Sequence, residues 1–166
     1  PPATLIVVRH GQTVWNAEGR WQGWLDSPLT EFGRMQARSA AEELRSVPID
    51  AAYSSDAGRA LETARIILAD RPHVPLHAVP ELRERSYGAY EGLNTEEIDA
   101  RYPNTRFVPG RDRRETWRAP GDNAESLEEV RARILPFLTE LARRHAGETV
   151  LLVTHSNVVR LIDSLC

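Results

Sequence analysis

The chain lacks lysine: all 21 of its basic residues are arginine. This absence excludes a Schiff-base lysine and the phosphate-binding lysine of a P-loop. The single cysteine, Cys166, excludes an intrachain disulfide and is typical of a reducing compartment. No apolar run approaches the ~20 residues of a membrane-spanning helix, and no charged-then-apolar signal segment opens the chain. We therefore expect a cytoplasmic protein that does not associate with membranes.

An excess of positive charge is also absent. The net charge is −3, so no overall basic field indicates binding to nucleic acid. Hydrophobic residues make up 41% of the chain and charged residues 27%, both ordinary for a globular protein. At 166 residues, the simplest organisation is one domain over residues 1–166, which is large enough to bury a core. The composition leaves the oligomeric state open.

Short apolar runs alternate with amphipathic segments along the chain. We expect Thr30, Asp56 and Ser126 to cap helices that extend to about residues 45, 69 and 144. This alternation predicts an α/β fold, a three-layer sandwich in which helices cover both faces of a mostly parallel central sheet. The predicted strands cover residues 4–9, 51–54, 76–79 and 149–154.

Two of the predicted strands end at a histidine. The first strand leads into Arg9-His10-Gly11, and the last leads into His155. Because ligands bind at the carboxyl ends of the strands in open parallel sheets, both histidines are candidates for one site. A planar guanidinium beside a nucleophile suits a phosphoryl or carboxylate group, so Arg9 indicates an anionic substrate.

Four sequence blocks occur in a recognisable order. The first joins RHGQTVWN at residues 9–16 to QGWLDSPLT at residues 22–30. The others are SDAGRALETA at 55–64, LRERSYGAYEG at 82–92 and VTH at 153–155. Together they resemble the histidine phosphatase superfamily over residues 4–161. The resemblance implies the phosphoglycerate-mutase-like version of the fold, with neither a cofactor nor a metal.

The resemblance assigns a role to each of the strongest candidates. His10 is the expected nucleophile, which accepts the phosphoryl group and forms a phosphohistidine intermediate. Arg9 and Arg59 are expected to hold the phosphoryl oxygens. His155 is expected to add a hydrogen bond and positive charge to the same oxygens.

Glu84 resembles the general acid of the family. It would protonate the leaving alkoxide and then deprotonate the water that attacks phosphohistidine. That role needs a pKa raised towards neutrality, which burial can provide. Glu81 and Glu91 are the local alternatives, and the spacing of Glu84 from Tyr87-Gly88 favours Glu84.

Further residues coincide with phosphate-contacting positions of the family. Ser55 is a weaker candidate of the same kind. The family most often has glycine after the second histidine, where this chain has serine, so we carry Ser156 over only as a candidate contact. The remaining predicted contacts are Thr13, Asn16, Gln22 and Gly23.

A variable, lid-like insertion is expected over about residues 93–125. Within it, residues 101–118 contain six arginines against Asp112 and Glu115, a net charge of +4. This segment is either a cationic lid that selects anionic substrates or a solvated surface.

These patterns predict a phosphomonoester hydrolase of the histidine acid phosphatase type, similar to broad-specificity bacterial phosphatases and acting on a small phosphorylated metabolite. A bisphosphoglycerate-dependent phosphoglycerate mutase shares the catalytic residues, but such mutases usually carry a longer insertion after the Glu84 block. The non-enzymatic alternative is a phosphoprotein-binding module that has lost turnover. A Ser-His-Asp triad lacks its nucleophile elbow, and a zinc site lacks a ligand-spacing motif.

Overall fold

A parallel sheet of four strands forms the centre of the fold. The computed structural model describes all residues 1–166. Its strands are β1 (Thr4–Arg9), β2 (Ala51–Ser55), β3 (Leu76–Val79) and β4 (Thr149–Thr154). They lie in the order β1-β4-β2-β3, and every neighbouring pair is parallel. The predicted strands are confirmed, with β2 one residue longer than expected.

Six α-helices and two short 3-10 turns complete the chain. The 3-10 turns cover Pro80–Leu82 and Gly88–Tyr90. No helix combines the length and the apolar character needed to cross a bilayer. The helices are α1 (Val14–Glu18), α2 (Glu31–Glu43), α3 (Gly58–Ile67), α4 (Thr95–Arg101), α5 (Leu127–Arg144) and α6 (Ser156–Ser164).

Helices cover the sheet on both faces, as the three-layer prediction requires. Val150 and Leu152 of β4 pack into one core with α5 and α6. Leu151 and Val153 pack into a second core with α3, and α2 borders it. All four side chains are fully buried. Because successive side chains of a strand point to opposite faces, an uninterrupted apolar strand implies burial on both sides.

Two of the three predicted helix caps are confirmed. The Thr30 hydroxyl accepts the backbone N–H of Gly33 at 3.0 Å and opens α2. Ser126 and Glu129 form the predicted capping box at the start of α5.

The third predicted cap, Asp56, is wrong. Ala57 occupies the N-cap position of α3 and makes no side-chain hydrogen bond there. The Asp56 carboxylate instead accepts two hydrogen bonds from the Arg83 guanidinium, at 2.9 and 2.8 Å. Such a bidentate, charge-assisted pair is stronger than a bond to a neutral N–H, so it takes the carboxylate away from the helix.

The segment over residues 93–125 contains α4 and otherwise lacks regular secondary structure. Buried residues at both of its ends, including Ile98 and Ala119, form a third core with Tyr90. Arg113 and Arg114 are exposed and make no ion pair, whereas half of the six arginines are paired. These pairs are Arg106 with Asp99, Arg111 with Asp112 and Arg118 with Glu129.

Candidate active site

The pairing of β1 with β4 brings the two histidines together. Arg9 lies opposite Thr154 in the parallel register, so each histidine follows directly on its own strand. The backbone N–H of His10 donates to the carbonyl of Thr154 at 3.0 Å. The His10 and His155 rings meet edge to face with centroids 5.1 Å apart, and both residues are buried.

The His10 imidazole is held in one tautomer. Its Nδ1 lies 2.7 Å from the carbonyl oxygen of Gly11, and because a carbonyl can only accept, Nδ1 carries the proton. Nε2 is therefore left with its lone pair. Burial, reinforced by the positive charges of Arg59 and Arg9, lowers the pKa of His10 to about 3. The ring is neutral at pH 7, as a nucleophile must be.

Arg59 is fully buried and fixed by the loop that precedes α2. Its terminal nitrogens donate to the carbonyls of Leu25 at 2.6 Å and Gly23 at 2.7 Å, and to the Asp26 carboxylate at 2.8 Å. Arg9, in contrast, is exposed at the end of β1 and makes no hydrogen bond through its side chain. The site therefore has one immobilised guanidinium and one that is free to approach a ligand.

Two buried nitrogens beside His10 have no hydrogen-bond partner. They are Nε of Arg59 and Nδ1 of His155, and no other buried side-chain nitrogen or oxygen of the chain lacks a partner. An unpaired buried polar group costs about 1–3 kcal/mol, so such a group is expected to have a functional reason. A bound anion would satisfy the Arg59 N–H, and also Nδ1 of His155 in the tautomer that carries its proton there.

Cavities open beside both histidines. One, of 350 Å³, is lined by His155 and Glu84 together with Gly23, Ser55 and Arg83. Another, of 320 Å³, is lined by Arg9, His10, Gln12, Asn16 and Thr63.

The His155 ring is uncharged in the free protein. Burial, followed by the nearby positive charge of Arg59, holds the pKa of His155 well below its usual range. The ring is therefore neutral at pH 7. Burial in a cationic site favours the uncharged imidazole in the free protein, and the positive charge expected beside a bound phosphoryl group stays a prediction. The neutral ring can contribute a hydrogen bond.

Glu84 lies between the two 3-10 turns, and its buried carboxyl is beside the first residues of α6, Ser156 and Asn157. One oxygen accepts the backbone N–H of Arg85 at 2.8 Å, and the other lies 3.5 Å from Ser156 Oγ and from the backbone nitrogen of Asn157. Burial raises the pKa of Glu84, although these N–H groups and the charge of Arg59 oppose the rise. A carboxyl in such an environment retains its proton to higher pH and can act as an acid.

The two alternative carboxylates have other surroundings. Glu81 lies half-buried in the first 3-10 turn, and its carboxylate makes no hydrogen bond. Glu91 stabilises the loop by accepting backbone N–H groups with both oxygens. Neither lines the cavity that Glu84 shares with His155. The N–H donors to Glu91 belong to Trp24, Leu25 and Tyr87.

A family model decides the relationship of the chain. The model of the histidine phosphatase superfamily (branch 1) matches residues 5–165. The chain belongs to this superfamily. It is therefore an enzyme of a superfamily that includes phosphatases and mutases.

Proteins named as mutases and proteins named as phosphatases are both similar to this chain. The 2,3-bisphosphoglycerate-dependent phosphoglycerate mutase 2 of Gloeobacter violaceus is 42% identical over 164 residues, covering 96% of this chain and 74% of that protein. The mycobacterial glucosyl-3-phosphoglycerate phosphatase structure is 33% identical with a TM-score of 0.81, covering 97% and 80%. The phosphoglycerate mutase structure from Bacillus anthracis is 27% identical with a TM-score of 0.74, covering 99% and 81%.

Two amide side chains of the superfamily's first motif have their oxygens occupied. The oxygen of Asn16 accepts the backbone N–H of Thr13 at 3.0 Å within the cap of α1. The oxygen of Gln22 accepts the hydroxyls of Thr13 at 3.0 Å and Ser27 at 2.8 Å. The NH₂ groups of Asn16 and Gln22 make no hydrogen bond to the protein, so they remain as donors for an anion.

Two other predicted contacts, Gly23 and Ser156, touch residues of the site. Gly23 has φ +56° and places its carbonyl on Arg59; a Cβ there would lie 2.0 Å from the Glu91 carboxylate. Glycine is therefore required at position 23, because the backbone has a positive φ and there is no room for a side chain. Ser156 lies against Glu84.

Sequence reasoning missed two side chains that hold the backbone of Glu84 in place. Trp24 Nε1 and Arg133 each donate to the main-chain carbonyl of Glu84 at 2.8 Å. Arg133, from the middle of α5, is in turn paired with Glu125 at 2.9 Å. Arg133 lies in no motif, and nothing in the block that contains Trp24 points to residue 84, so no sequence signal indicated that they converge on Glu84. No group of three or more His, Cys, Asp or Glu side chains is placed to hold a metal ion.

We predict that His10 makes the protein less stable as the pH falls. The folded imidazole stays neutral down to about pH 3, whereas the unfolded one takes up a proton near pH 6.5. Between these values the unfolded state binds more protons. The stability contribution is thus present above pH 6.5 and is lost as the pH falls, with a slope of up to ~1.4 kcal/mol per pH unit. Urea unfolding followed by tryptophan fluorescence measures this slope.

The variant His10→Gln should flatten the slope, because its side chain does not titrate. His73→Gln alters an exposed histidine outside the site and is the matched control. Equal slopes for His10→Gln and the unmodified protein would show that His10 is not held neutral by burial.

Proposed function

We propose that the protein hydrolyses phosphomonoesters of small metabolites through a phosphohistidine intermediate on His10. One observation carries the proposal. His10, whose Nε2 keeps its lone pair, packs against His155 and lies within the field of Arg59, and two buried nitrogens of these neighbours, Nε of Arg59 and Nδ1 of His155, have no hydrogen-bond partner. The lone pair is a nucleophile, and unpaired donors are what the oxygens of a transferring phosphoryl group require.

In the first step, Nε2 of His10 attacks phosphorus. The Nε2–P bond forms as the bond from phosphorus to the leaving oxygen breaks, and protonated Glu84 gives its proton to that oxygen. The ring becomes positively charged, and its Nδ1–H stays on the Gly11 carbonyl, which stabilises that charge. Arg9 and Arg59 neutralise the phosphoryl oxygens.

In the second step, water replaces the leaving alcohol. The Glu84 carboxylate takes one proton from water, the water oxygen bonds to phosphorus and the Nε2–P bond breaks. Inorganic phosphate leaves, His10 is again neutral and Glu84 is again protonated. The same residue thus serves as acid and then as base.

The leaving group would extend towards a cationic, aromatic cavity of 330 Å³ under the segment over residues 93–125. Asn157 connects this cavity to the acid: its backbone lies beside Glu84, and its side chain donates to Tyr87 at 2.9 Å. Arg114 lines the same cavity without an ion pair. This supports a preference for leaving groups that carry a second negative charge.

A bisphosphoglycerate-dependent mutase is the second candidate function. It is favoured by the Gloeobacter relative, which bears that name and carries no long insertion within the matched region. Insertion length therefore does not separate the two activities. Hydrolysis is favoured by the backbone, which is more similar to the mycobacterial phosphatase structure than to the Bacillus mutase structure.

We predict that His10→Ala abolishes turnover, because no other group can accept the phosphoryl group. Protein quenched during turnover should carry phosphate on His10 that is labile in acid and stable in base, detectable by mass spectrometry. His73→Ala, at an exposed histidine, should retain both activity and label. Full activity in His10→Ala, or phosphate on a serine, would contradict the mechanism.

Replacing the acid should affect poor leaving groups most. Glu84→Gln is expected to slow hydrolysis of alkyl phosphates by about 10²–10⁴-fold, while the burst phase with nitrophenyl phosphate changes far less, because nitrophenolate leaves without a proton. Glu81→Gln serves as the control. Equal losses for both substrates in the burst phase would remove Glu84 from the role of acid.

Phosphatase and mutase activity can be measured in the same assay. With 3-phosphoglycerate and catalytic bisphosphoglycerate, we expect release of free phosphate to outpace formation of 2-phosphoglycerate, because water reaches phosphohistidine unless it is excluded. Isomerisation much faster than phosphate release would favour the mutase and leave the catalytic residues unchanged.

A further inference from the structure

Ser55 connects the start of α3 to the second histidine. It is the last residue of β2 and is fully buried. Its Oγ lies 3.2 Å from the backbone nitrogen of Ala57 and 2.8 Å from Nε2 of His155. This hydroxyl makes no other hydrogen bond.

These contacts fix where the hydroxyl proton goes. The Ala57 N–H can only donate, so Oγ accepts there, and the only acceptor left for the hydroxyl proton is Nε2 of His155. If Nε2 carried a proton instead, two buried groups would be unsatisfied: the Ser55 hydroxyl proton and the lone pair on Nδ1. With Ser55 as donor, the Nδ1–H is the single unsatisfied group.

We propose that Ser55 is a positioning residue that fixes the tautomer of His155. By donating to Nε2, it makes Nδ1–H the buried donor that receives a phosphoryl oxygen. This role in turnover rests on the proposed function, whereas the tautomer itself is a property of the free protein. Ser55 thus acts through His155 and does not itself bind the phosphate, as the sequence motif had suggested.

The alternative tautomer would oppose the reaction. Without the Ser55 hydroxyl, the His155 proton can move to Nε2, and a lone pair on Nδ1 would then face the phosphoryl oxygens. In the free protein, burial keeps the pKa of His155 well below its usual range, so the neutral ring carries a single proton, on one nitrogen or the other.

The experiment compares Ser55→Ala with Ser54→Ala. Ser54 is equally buried on the same strand, but its hydroxyl donates to the Ser55 carbonyl at 2.8 Å and does not touch His155. We expect Ser55→Ala to lower kcat by about 10²–10³-fold, as loss of an oxyanion donor does, and Ser54→Ala to retain it. Ser55→Thr, which keeps the hydroxyl, should retain most of the kcat of the unmodified protein.

Nitrogen NMR of histidine-labelled protein without substrate tests the tautomer directly. The His155 signals are assigned as those missing in His155→Gln. In the unmodified protein, Nε2 should resonate as an unprotonated nitrogen and Nδ1 as a protonated one; the order should reverse in Ser55→Ala. Added inorganic phosphate should shift the Nδ1 signal.

The outcomes separate this proposal from the proposed function. A protonated Nε2 in the unmodified protein overturns the tautomer assignment, even if Ser55→Ala does not fold. An unchanged kcat in folded Ser55→Ala overturns the positioning role. If the NMR result holds but the protein releases no phosphate from any monoester, the proposed function fails while the Ser55–His155 assignment stands.

Discussion

The parallel pairing of β1 with β4 is the constraint on which the site depends. It places Arg9 opposite Thr154, so the residue that follows each strand emerges at the same edge of the sheet. A shift of one residue would send every side chain of β1 to the other face, exchanging the two cores as well as moving His10. The apolar packing that fixes the register therefore also fixes the distance between the two histidines.

Hydrogen-bond partners give the two imidazoles the same tautomer and, in the proposed mechanism, opposite roles. Both carry the proton on Nδ1. In His10 this N–H donates to the Gly11 carbonyl, and the lone pair on Nε2 stays free. His155 has its Nε2 lone pair occupied by Ser55 and keeps its N–H free. One chemical species thus acts as nucleophile in one place and as hydrogen-bond donor in the other. Positive charge is left to the arginines, which stay charged when buried.

Features that neighbours along the chain determine could be predicted from the sequence, and so could the meeting of His10 with His155, because each follows a parallel strand. The caps at Thr30 and Ser126 use partners three residues away, and both were found. Asp56 failed because its partner, Arg83, lies 27 residues away and outcompetes the local N–H groups. The neutrality of His155 follows from burial, which no motif encodes.

Arg59 has a mechanical consequence for the molecule. Because its guanidinium is bound to consecutive parts of the loop at Gly23, Leu25 and Asp26, the loop and α3 must move together. A substrate therefore meets a rigid half of the site and needs only Arg9 to adjust. Because Arg59 is preorganised, we expect discrimination between substrates to depend on the part of each molecule that lies beyond the phosphate.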